Sequence, residues 1–133
     1  MIKNQLIFSA VAVLAAIILS ACSGEPATVG PTPTIDPQSD AGIGRTLFQA
    51  QCSTCHSTEE GVQLVGPTLA HIASHAGERV SGLGAEDYLH DSIVRPNDFT
   101  VPGFAEGTMR QDFGQTLTSD EVNQLVTYLM TLK

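Results

Sequence analysis

Residues 52–56 read Cys52-Ser53-Thr54-Cys55-His56, the C-x-x-C-H pattern through which a haem is attached by two thioethers. The spacing has a physical reason. Two cysteines three positions apart can each reach one vinyl-derived carbon on the same edge of a porphyrin. The histidine follows directly, so its imidazole can come up beneath the iron as an axial ligand. The covalent links then hold the ring even while iron ligation is broken. The chain has three cysteines in 133 residues, so two of them beside a histidine form a specific signal.

Other chemistries use paired thiols. A structural zinc site wants four donors, and the histidines at i, i+4 that could complete one are His71 and His75. A thioredoxin-like redox pair would need strands alternating with helices around it, and no strong strand pattern is present. Haem attachment is the reading that needs no further partner from the sequence.

Working outward, residues 1–21 read as a cleaved signal peptide. Lys3 supplies a short positive region, and Leu6 to Leu19 form an apolar run broken only by Ser9. Such a run is short for a spanning helix and suits a signal core. Leu19-Ser20-Ala21-Cys22 resembles a bacterial lipobox, which implies cleavage before Cys22 and lipidation of its sulfur. The expectation is an exported domain held on the outer face of a bacterial membrane. With Cys22 carrying lipid and Cys52 and Cys55 carrying haem, no cysteine is left for a disulfide.

Residues 22–39 place prolines at 26, 31, 33 and 37 among Thr, Gly and Ser, and read as a lipidated cysteine followed by a tether. As a flexible coil it would reach roughly 20–25 Å. The folded unit is then residues 40–133, short enough that a bound haem would make up much of its core.

Asp40 is positioned to cap a helix running to about Gln51, with Ile43, Leu47 and Ala50 as one apolar stripe and Gly44 and Phe48 as a second. Thr68 can cap a short helix through about Ala76. Ala85 to Val94 reads as a helix stopped by Pro96, and residues 97–116 as one long irregular segment, a length that is usually functional. Thr118 and Glu121 form a capping box ahead of a helix with Val122, Leu125, Val126 and Leu129 on one face. The fold class is all-α.

Met109 lies in the irregular segment, and a thioether is the common partner of histidine on haem iron in electron-transfer proteins. It is the candidate sixth ligand. Met130 competes with it but reads as helix packing. His71, His75 or His90, or an open position, are the alternatives.

The order and spacing of these features are similar to a class I, mitochondrial-type monohaem cytochrome c. The likeness runs from Gly44 and Phe48 through the haem pentad, Gly66-Pro67, Tyr88-Leu89, Met109 and the terminal Leu125 to Leu129, and is especially marked toward the cytochrome c domains of some bacterial oxidase subunits II. It implies one covalent haem c, with the first and last helices crossing near-perpendicularly and shorter helices and loops around the ring. It also implies that the Pro67 carbonyl accepts the free N–H of His56. One departure is Arg110, where the family usually has proline after the ligand methionine, and it predicts a less rigid loop.

The function expected from this is that of a membrane-tethered electron carrier, not an enzyme, passing single electrons between respiratory or photosynthetic components, either alone or as a complex subunit. The alternative is a haem-based sensor or redox enzyme with an open sixth position. Charge narrows the partners. The full chain carries a formal −8; losing residues 1–21 removes Lys3 and leaves 5 basic against 14 acidic side chains, or −9. That excludes nucleic acid as a natural partner and favours a redox protein with a basic docking surface.

Overall fold

The computed structural model describes residues 34–133. The signal peptide, Cys22 and the tether as far as residue 33 lie outside the described residues. Among the described residues every regular element is helical and no strand occurs, as the all-α reading requires.

Helix α1 spans Asp40–Gln51. Its cap is Ser39, whose hydroxyl oxygen accepts the Gly42 N–H at 3.2 Å. Asp40 instead occupies the first turn, where the positive end of the helix favours a carboxylate. Of the two apolar stripes the second is buried. Phe48 is only 4% exposed and Gly44 is buried, whereas Ile43 is 37% exposed. The reason is the partner helix. Phe48 packs on Tyr128 with ring centroids 5.5 Å apart, and at Gly44 the backbone comes against the Gln124 carbonyl of the last helix. Ahead of α1, Ile35 packs against the core, and a turn closed by Ser39 N–H onto the Asp36 carbonyl (3.1 Å) leads into the helix.

The short helix α2 covers only Ile72–His75 and passes into a 3-10 turn at Ala76–Glu78. It starts later than the Thr68 reading expects. The Thr68 hydroxyl accepts the Ala70 N–H at 3.2 Å and turns toward the Ser57 and Glu59 carbonyls, so Thr68 closes a loop and caps nothing. His71 then takes up the left-handed region at φ 57°, which redirects the chain into α2.

Helix α3, Ala85–Val94, has the bounds read from sequence and buries Tyr88, Leu89 and Ile93. The long segment after it contains one helical turn, α4 (Phe113–Thr116), anchored by buried Phe113. Helix α5, Ser119–Leu129, carries the capping box in full and buries Val122, Leu125, Val126, Tyr128 and Leu129. Leu125, 1% exposed, is the centre of a core that draws on α1, α3, α4 and α5. Burying a side chain of this size contributes about 1.5–3 kcal/mol.

Candidate haem site

The pentad begins where α1 ends. Cys52 is the C-cap, its N–H bound to the Phe48 carbonyl at 2.8 Å. The N–H groups of Cys55 and His56 both return to the Cys52 carbonyl, at 3.0 and 2.9 Å. The chain therefore coils once more after the helix. Residues three apart in such a coil share a face, so Cys52 and Cys55 are presented together with His56 behind them.

His56 is held from the following loop. Its Nδ1 lies 2.8 Å from the Pro67 carbonyl oxygen. A carbonyl only accepts, so Nδ1 carries the proton and Nε2 keeps its lone pair. A histidine that ligates through Nε2 needs that tautomer, and such a second bond fixes the orientation of the ring. The Gly66 N–H binds the Cys55 carbonyl at 2.8 Å. A Cβ at position 66 would stand 2.5 Å from His56 Cε1, so the imidazole occupies the space a side chain would take.

Cys52, Cys55, His56, Pro67 and Met109 all line one cavity, floored by Leu125 and Leu129 of α5 and walled by Leu89, Ile93 and Phe104 among others. Of the alternatives for the sixth ligand, His71, His75, His90 and Met130 are not on its walls. Met130 caps the end of α5 and packs at the edge of the core, the helix-packing role expected of it.

The Met109 loop is held by two side-chain hydrogen bonds. The Asn97 side-chain oxygen accepts the Gly107 N–H at 3.0 Å, and Gln111 Nε2 donates to the Met109 carbonyl at 2.6 Å. Gly103 and Gly107, at φ 93° and 73°, supply the left-handed turns that bring the loop round.

The competing thiol chemistries lack their requirements. Burial, with the neighbouring Cys55 adding to it, pushes the Cys52 thiol up to about 11, whereas a redox-active C-x-x-C lowers it. Among the described residues no three His, Cys, Asp or Glu side chains gather as metal donors, so the zinc alternative has no completing pair.

The cavity fits a haem in its donors and in its charge. Its lining is mainly apolar, and the two charged side chains on it are Arg79 and Arg110, with no carboxylate. In a chain of net charge −8 that inversion suits a flat apolar ring bearing two anionic propionates. Arg79 was not legible in the sequence, since no spacing marks an arginine that a loop brings to a pocket some distance along the chain.

Comparison with known proteins agrees with this geometry. Residues 41–133 match the family model described as cytochrome c. The chain belongs to the cytochrome c family. It is 26% identical over 101 residues to cytochrome c of Euglena viridis, across 71% of this chain and 98% of that protein. The protein is a class I cytochrome c, an electron-carrying haem protein whose haem c is covalently bound and whose partners are redox proteins.

Proposed function

We propose that this cytochrome c is a lipid-tethered electron carrier on the outer face of a bacterial membrane, with a six-coordinate haem attached at Cys52 and Cys55 and ligated by His56 and Met109. The observation that carries the reading is that His56, its Nδ1 held by the Pro67 carbonyl, lines one cavity together with Met109 and both cysteines. When bound, the haem supplies a one-electron Fe(III)/Fe(II) couple, and a thioether opposite a histidine favours the reduced form.

The chain's own residues do the rest. Pro67 holds the His56 tautomer, the apolar walls keep water from the ring, and Arg79 offsets propionate charge, Arg110 being already paired with Asp112. The signal read at residues 1–21, Cys22 and the proline-rich stretch up to residue 33 support export and anchoring, within a few nanometres of the bilayer; the turn after it, with Ile35 against the core, belongs to the folded domain and not to the tether read through residue 39. The acidic surface favours a partner with a basic docking face, in a respiratory or photosynthetic chain and as a free carrier or a complex subunit.

The test is ligand binding by the reduced holoprotein. Two protein axial ligands exclude carbon monoxide, whereas ready binding by the wild type would establish an open site and the sensor or enzyme reading instead.

A further inference from the structure

Met109 is followed by Arg110, whose side chain is tied by three hydrogen bonds. Arg110 Nε donates to Asp112 Oδ1 at 3.0 Å and Nη2 to Asp112 Oδ2 at 2.9 Å, a two-pronged fork. Nη1 donates to Gln51 Oε1 at 3.3 Å. Gln51 is the last residue of α1 and is joined by its peptide bond to Cys52. The guanidinium carbon stands 4.6 Å from the centre of the Phe113 ring, and Phe113 is 4% exposed. The fork and the ring belong to neighbouring residues, Asp112 and Phe113, and the amide to the end of α1, so two separate parts of the chain converge one residue beyond Met109.

We propose that Arg110 is a positioning residue for Met109. A proline would stiffen this stretch by fixing φ. Arg110 does it by pinning its planar fork between Asp112, Phe113 and the end of α1, so that the thioether-bearing loop and the haem-attachment turn move as one piece. The inference rests on Met109 being the sixth ligand. The Asn97 and Gln111 hydrogen bonds tie the loop to itself; Arg110 ties it to the end of α1. Its consequence is a smaller fraction of molecules in which the sulfur has left the iron.

That fraction is measurable, because an external ligand binds only the open form and its apparent affinity scales with the open population. The experiment is imidazole titration of the oxidised holoprotein, followed by loss of the weak far-red band of sulfur-ligated ferric haem. Reduction potential and thermal unfolding are recorded alongside. Arg110→Lys keeps the charge but cannot form the fork, and Asp112→Asn loosens the fork without touching Arg110. Both should bind imidazole about three- to tenfold more tightly than wild type, the range expected for one partly exposed ion pair and a ring contact. The potential of Arg110→Lys without imidazole should stay at the wild-type value, and the unfolding midpoints of variants and wild type should coincide in saturating imidazole, where the sulfur is off the iron in all of them.

Wild-type imidazole affinity in both variants would overturn the proposal and make Arg110 a surface ion pair. A fall in unfolding midpoint that persists in saturating imidazole would overturn it too, by showing a general loss of stability. Met109→Ala separates the two levels. If it keeps the far-red band, the ligand reading has failed and the positioning role falls with it. If it loses the band while Arg110→Lys stays like wild type, only the positioning role has failed.

Discussion

Nothing larger than hydrogen fits between Gly44 of α1 and the Gln124 carbonyl of α5. A Cβ at 44 would collide with that oxygen and stand 2.9 Å from Tyr128 Cβ. The contact joins the two ends of the folded chain, since α1 leads into the haem-attachment turn and α5 floors the cavity. Gly44→Ala should therefore destabilise the holoprotein by about 3 kcal/mol, the upper part of the overpacking range, measured by denaturant unfolding followed in the haem absorption.

His71 is a non-glycine residue in the left-handed region, at φ 57° and ψ 21°. Its contact with Glu60 is long, 3.8 Å, and exposed, so little offsets the backbone cost. His71→Gly should stabilise the protein by about 0.5–1 kcal/mol, and His71→Val should destabilise it, in the same unfolding assay.

The capping box gives a pH dependence with a definite sign. The Glu121 carboxylate accepts the Thr118 N–H at 2.8 Å and the Thr118 hydroxyl at 2.9 Å. These bonds, the backbone one foremost, hold its pKa below the ordinary glutamate range. A group depressed in the folded state adds stability that is complete above its unfolded pKa and disappears as pH falls through the folded value. Unfolding midpoints of wild type and Glu121→Gln should differ at neutral pH and converge as the pH falls below the ordinary glutamate range.

What was legible in the sequence follows the range of the interactions involved. The capping box and α5 are local, with the cap, the partner carboxylate and the apolar stripe all within twelve residues, so the pattern alone located them. The pentad is local too. In α1 the period identified two apolar stripes but could not choose between them, because the choice is made by Tyr128 and Gln124 some eighty residues away. The left-handed turn at His71 had no signal, since the usual marker of that conformation is glycine. Arg110 read as a loosening of the Met109 loop; its tie to Gln51, 59 residues away, exists only once the loop has folded against α1.

Cys22→Ser tests the anchor separately from the haem. The variant should leave the membrane fraction and keep an unchanged visible spectrum, checked by fractionation and absorption. Loss of haem in this variant would show that Cys22 has been assigned the wrong chemistry.

The most direct test of the central claim is the far-red band and reduction potential of Met109→Ala set beside Met130→Ala. In Met109→Ala the haem should stay covalently attached through Cys52 and Cys55, the band should vanish, and the reduced protein should begin to bind carbon monoxide. The potential should fall as the thioether is lost, each decrement of about 59 mV marking a tenfold change in the equilibrium constant of this one-electron couple. Met130→Ala should leave band and potential as they are. Retention of both in Met109→Ala, with their loss in Met130→Ala, would contradict the assignment of His56 and Met109 as the axial pair.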